Sequence, residues 1–188
     1  YLALAGDAER LQETGDIRSS RERAEVALLL AQQIYDWAVR SDDARDKVDV
    51  RALTIQLADA NLRADRYGEA RELFGPLLAT GDESIPSDSA GDVRVVLGYG
   101  ESLFQLGEFA LALSQFNRLA VGLPAADPIR WKSLLRDLQC RTALGHPPRD
   151  IIKVIRQQKH LYPGLGGPAL ASQFEKLLRQ NERRPDFG

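Results

Sequence analysis

Apolar residues recur every three to four positions along almost the whole chain, and nowhere do apolar and polar residues alternate over the roughly four to eight positions that a half-buried strand needs. The pattern predicts an all-α protein. Turn-forming clusters divide it at Thr14-Gly15-Asp16, Ser41-Asp42-Asp43, Ala64-Asp65-Arg66, 80–91, Gly107-Glu108, 122–128, Gly145-His146-Pro147-Pro148 and 163–167. Helices are therefore expected near 2–13, 20–40, 46–64, 67–79, 91–106, 109–121, 128–144, 149–162 and 168–182. Asp127-Pro128 supplies an N-cap followed by proline in the first turn, where a missing N–H does no harm. Pro168 opens the last helix in the same way, and Leu170, Phe174, Leu177 and Leu178 give that helix one apolar face. The stretch 80–91, with Gly81, Pro86, Gly91 and little to bury, reads as an inserted loop.

Within the helical pattern a motif recurs. Its most complete copy has Val96, Tyr99, Gly100 and Leu103, then the turn Leu106-Gly107-Glu108-Phe109, then Ala112 and Phe116, and finally Pro124. An earlier copy has Thr54, Leu57, Ala58 and Asn61, then Asp65-Arg66-Tyr67-Gly68-Glu69-Ala70 and Phe74, with Asp82 where the proline would fall. A later copy has Trp131, Leu134, Leu135, Leu138, Ile151, Ile155 and Pro163, with a longer turn between its helices. Ala70 and Ala112 are 42 residues apart, and Ala112 and Ile151 are 39 apart. The arrangement resembles a degenerate tetratricopeptide repeat (TPR), whose strict period is ~34 residues, the extra residues falling in loops. Ala70 and Ala112 let two helices approach closely, and Phe74 and Phe116 fill the space between hairpins, whereas the later copy departs from the pattern with Leu135 and Ile151 where Gly and Ala should sit.

This resemblance implies a right-handed α-α superhelix, a TPR-like solenoid of three to four helical hairpins closed by a C-terminal capping helix. Residues 1–45 would hold N-terminal helices and a partial repeat. Three repeats would occupy 46–163, at 46–80, 91–124 and 128–163, and the cap and tail would be 164–188. The resemblance also implies a groove lined by the first helix of each hairpin, where family members hold a peptide or a partner's helix. Registering the copies places Ile55, Asp59, Leu62 and Arg63 there, then Arg94, Leu97, Glu101, Phe104 and Gln105, then Lys132, Arg136 and Gln139. The partner-binding candidates are Asp59, Leu62, Arg63, Arg94, Leu97, Glu101, Phe104, Gln105, Lys132 and Arg136. Apolar and charged side chains mix on this face, which fits an amphipathic segment. Chaperone-binding members clamp a terminal carboxylate with Lys and Asn in the groove, but Asp59 and Glu101 would repel one here.

Composition changes this picture little. With 44% hydrophobic and 28% charged residues among 188, the chain is ordinary globular material. Its longest apolar run, Val26 to Ala31, is far short of the ~20 residues of a spanning helix. A single cysteine, Cys140, excludes an internal disulfide and leaves the compartment open. The chain starts at Tyr1 and contains no Met, which reads as a piece of a longer protein or a processed product.

Charge adds a polarity. Residues 1–127 carry 13 Lys/Arg against 22 Asp/Glu, whereas 128–188 carry 12 against 5. Arg149, Lys153, Arg156 and His160 recur along one face of helix 149–162, which could meet an anionic surface. No aromatic residues interleave with those charges, which disfavours nucleic acid.

The chemistry motifs fail. There is no phosphate loop, no His-Glu-x-x-His, no Gly-x-Ser-x-Gly elbow and no calcium loop. One Cys and two His on separate segments do not make a zinc site. Gly164-Leu165-Gly166-Gly167 follows a helix rather than a strand and reads as a flexible turn. The expected role is a non-catalytic scaffold for a protein or peptide partner, without cofactor or metal, forming part of a larger protein. The alternatives are the regulatory or substrate-presenting arm of an enzyme whose catalytic domain lies elsewhere, and a module that binds RNA or lipid through its basic C-terminal third.

Overall fold

The computed structural model describes residues 17–40, 49–79 and 90–185. The expected helix 2–13, the turns at 14–16 and 41–43 and all but the end of the inserted loop 80–91 lie outside these residues. The described residues form eight helices and no strand: α1 (Ile17–Arg40), α2 (Val50–Arg63), α3 (Tyr67–Ala79), α4 (Ala90–Gln105), α5 (Phe109–Gly122), α6 (Pro128–Ala143), α7 (Pro148–Leu161) and α8 (Pro168–Glu182). They fall into two compact units, α1–α4 and α5–α8, with the boundary at Leu106-Gly107.

Helix ends follow local chemistry. α2 begins later than its apolar spacing predicts because the Asp49 carboxylate accepts the Ala52 N–H at 3.0 Å and fixes Asp49 as the cap. Asp127 caps α6 as expected, accepting the Ile129 N–H at 2.8 Å ahead of Pro128. Between α2 and α3 the backbone turns through Asp65, whose φ of 60° is left-handed. The Tyr67 hydroxyl donates to the Asp65 carboxylate there at 2.6 Å.

In the first unit, α1 packs on α2 through Leu28 and Ala31 against Leu57, Ala60 and Ala64. A second cluster joins α2, α3 and α4 through Ile55, Ala58, Ala70, Phe74 and Val95. Ala70 and Phe74 are fully buried, as the repeat positions require. The ring of Phe74 lies so close to Gly98 of α4 that a Cβ there would meet it at 2.3 Å. Ile55, expected in the groove, belongs to this core instead, at 6% exposure. It stands three residues before Ala58, on the side of α2 that turns toward α3 and α4.

In the second unit, α5 lies along α6, and α8 covers α6 and α7. Trp131, Leu135, Leu138, Ile151 and Ile155 meet Phe174, Leu177 and Leu178 in one cluster. Asn181, wholly buried, donates to Leu177 O at 2.9 Å and to Thr142 Oγ1 at 3.4 Å, tying α8 to the end of α6. The turn 163–167 differs from its expected flexibility. Leu165 is 2% exposed within this core, and Gly166 (φ 82°) sits against the Trp131 side chain.

Candidate interaction surfaces

The sequence-derived candidates fall in both units. In the first, Asp59, Leu62 and Arg63 occupy one face of α2 at i, i+3, i+4, and Arg94, Leu97, Glu101, Phe104 and Gln105 follow one face of α4. The structure brings the two faces together at one point: Arg94 forms an ion pair with Asp59 across the two helices. Asp59 is the more sheltered partner, its side chain 15% exposed against 50% for Arg94. A second pair, Arg51 Nη2 with Asp92 Oδ1 at 2.5 Å, links the starts of the same helices, and Arg51 Nη1 also reaches Leu77 O at 3.4 Å.

Leu62, Leu97 and Phe104 are half-buried, so each keeps apolar surface within reach of solvent; Arg63 and Gln105 are exposed. Glu101 differs from its expected place in an open groove, being 9% exposed. Its charge helps to raise the Tyr67 pKa to about 12, after burial and the Asp65 hydrogen bond and carboxylate charge. In the second unit Lys132 is exposed on α6, while Arg136 is half-buried and donates from Nη1 to Gln139 Oε1 at 3.0 Å.

On α7 the basic face is partly spoken for. Arg156 pairs with Glu182 of α8 at 2.9 Å, and the neighbouring Lys159 pairs with Glu175, holding that carboxyl below its usual range. Arg149, Lys153 and His160 are exposed.

One feature of the second unit escaped the sequence reading. A cavity of about 490 Å³ opens between α5, α6 and α7, and it is lined in part by Arg130 and Gln158. Neither belongs to a repeat position or a charge stripe, so no spacing pointed to them. Elsewhere, no cluster of His, Cys, Asp or Glu among the described residues could hold a metal ion. No described helix is long and apolar enough to cross a membrane.

No family model matches the chain, and no curated protein matches it. Among solved structures it is similar to a crystal structure from Podosopora anserina, described as a kinesin light chain with nearly identical TPR-like repeats. The likeness covers 97% of this chain and 86% of that one, with a TM-score of 0.62 and 17% sequence identity. The fold is thus an all-α, TPR-like solenoid.

Proposed function

We propose that this chain is a non-catalytic interaction scaffold that holds an amphipathic peptide or helix on the faces of its first helices. The repeats meant are those at 46–80, 91–124 and 128–163. In the first unit the site is the shared face of α2 and α4; Lys132 and Arg136 are the matching positions of α6. The observation that carries this reading is the Asp59–Arg94 pair, set between helices that also present half-buried Leu62, Leu97 and Phe104. Apolar anchors beside paired charges give a partner helix both area to bury and a direction in which to lie. The pair is internally neutral, so a partner gains by burying the leucines and Phe104 and loses little by covering the charges. Arg63 and Gln105, exposed at the ends of the two helices, complete a polar rim.

The test is a pull-down of a native partner with the purified chain, repeated with Phe104→Ala combined with Arg136→Ala. Capture should disappear while the helical circular dichroism spectrum stays intact. Capture that survives these changes but is lost when Lys153 and Arg156 are neutralised would move the site to α7.

A further inference from the structure

α1 has two apolar faces, and α2 covers one of them. Ala24, Ala27, Leu28, Ala31 and Ala38 are buried, Leu28 and Ala31 against Leu57, Ala60 and Ala64 of α2. On the opposite side Val26, Leu29, Ile34 and Trp37 are exposed, Leu29 by 64% and Trp37 by 60%, and Leu30 among them is half-buried. At about 100° per residue these five side chains fall within an arc of about 140° of the helix surface, so they form one patch. Single apolar residues on a surface need no explanation, whereas a contiguous patch that includes a tryptophan does.

The neighbouring chain is poorly suited to cover this patch. Residues 41–48, Ser-Asp-Asp-Ala-Arg-Asp-Lys-Val, are mostly charged. The expected helix 2–13 would be about 18 Å long, whereas Trp37 stands about 30 Å along α1 from Ile17, so a hairpin through 14–16 stops short of it.

The pattern on α1 repeats itself when the helix is reversed. Val26 and Trp37 are 11 residues apart, close to three turns, and share the middle line of the patch. Leu30 and Ile34 flank that line on one side. Glu22 and Arg40, both exposed, flank it on the other, 18 residues and five full turns apart. All three pairs centre between Ala31 and Gln32 to within half a residue. A two-fold axis at that point lays α1 of one copy antiparallel on α1 of a second. Val26 then meets Trp37, Leu30 meets Ile34, and the Glu22 carboxylate meets the Arg40 guanidinium, each contact being made twice. Arg40 is 82% exposed, with a long 3.9 Å pair to Asp36 on its own helix, so its guanidinium can reach across. A stripe that maps onto itself is what an isologous contact requires and what an unrelated partner does not.

We propose that two copies of this chain associate through the outer face of α1 as an antiparallel, two-fold dimer. α8 offers no second face of this kind, because it turns Ser172, Lys176, Arg179 and Arg183 to solvent. The contact therefore closes at two copies and does not propagate into a filament. One helix from each copy makes an interface near or below about 1,200 Å², the small end of specific contacts, so the dimer should dissociate at micromolar concentration. Neither α2 nor α4 is used, and each dimer presents their shared face twice.

Sedimentation equilibrium of the full chain from about 1 to 300 μM should show monomer and dimer and nothing larger. Dimerisation should shield Trp37 from acrylamide and shift its emission to the blue, buried Trp131 giving a constant background. Trp37→Glu should weaken the dimer about tenfold or more, and Val26→Glu, at a second exposed site, should do the same. The helical circular dichroism of both variants should stay unchanged. Glu22→Arg or Arg40→Glu alone sets like charges opposite each other and should weaken association several-fold, whereas the two combined should restore it. The proposal is overturned if the chain stays monomeric throughout, whether Trp37 is then open to acrylamide or shielded by residues 1–16 of its own chain. It is equally overturned if larger species accumulate, or if the combined charge reversal recovers nothing that each single reversal lost.

Discussion

Gly98→Ala isolates a contact that helix propensity alone would misjudge. In an unconstrained helix interior, replacing Gly by Ala stabilises by roughly 0.5–1 kcal/mol, because the unfolded chain loses freedom that folding would otherwise remove. At Gly98 the added Cβ would stand 2.3, 2.5 and 2.9 Å from Cζ, Cε2 and Cε1 of Phe74. Carbon atoms in comfortable contact are about 3.5–4.0 Å apart, so ring and methyl must separate by about 1 Å. Phe74 is fully buried, with Ile55, Ala58, Ala70 and Val95 in its cluster, and has little room to withdraw. Overpacking of this kind costs about 1–3 kcal/mol. With the upper part of that range applying and the propensity gain subtracted, Gly98→Ala should destabilise by about 1–2 kcal/mol. Urea unfolding followed by circular dichroism measures this directly. Gly68→Ala is the control: nothing lies within 4 Å of a Cβ there, so that change should be neutral or stabilise by up to ~1 kcal/mol. In a Phe74→Leu background the Gly98→Ala penalty should shrink, the signature of two residues in contact. If Gly98→Ala alone raises stability as Gly68→Ala does, the packing of α3 against α4 described above is wrong.

Other consequences are equally open to measurement. Gly166→Ala should destabilise by about 2–4 kcal/mol, since a side chain at φ 82° is strained and its Cβ would meet Trp131 Cβ at 2.5 Å; a red shift of the buried Trp131 emission should accompany it. Phe116→Ala should cost ~3–5 kcal/mol, because Phe116 is fully buried; a loss below about 1 kcal/mol in urea unfolding would mean that this residue faces water. Tyr67 should ionise near pH 12, above the ordinary phenol value of 10, because of its burial and the Asp65 hydrogen bond. A folded-state pKa raised in this way contributes stability that is fully present below pH 10 and lost as pH rises from 10 through about 12. Tyr67→Phe should remove that dependence, and an unchanged alkaline profile in the variant would refute it. The partner-capture experiment with Phe104→Ala and Arg136→Ala tests the interaction face in the same direct sense.

Much of the scaffold was legible in one dimension because its determinants are local. Helix spacing, the Asp127-Pro128 start and the Pro168 start act within a turn or two of chain, where sequence distance and spatial distance agree. Ala70, Phe74, Ala112 and Phe116 were readable for a related reason: a repeat prints the same packing requirement several times, and all four are fully buried. The interaction face was only partly legible. Register named Asp59 and Arg94 but gave no sign that they neutralise each other, because a separation of 35 positions along the chain carries no record of which side chains will touch. Register also put Ile55 and Glu101 in the open, whereas Ile55 is buried in the cluster that α2 shares with α3 and α4, and Glu101 is only 9% exposed.

The sequence by itself determined an all-helical chain, the approximate ends of its helices and the small and large residues that let hairpins stack. Tertiary structure alone decided that Gly98, which is not a motif position, is pressed by the Phe74 ring. It also decided that Gly166 must stay small under Trp131, and that Arg130 and Gln158, unremarkable in the sequence, line one cavity. The physical reason is the same in each case. Periodicity records which side of a helix faces inward, whereas contact depends on where another helix lies, and that position is set only when all the apolar faces are buried together.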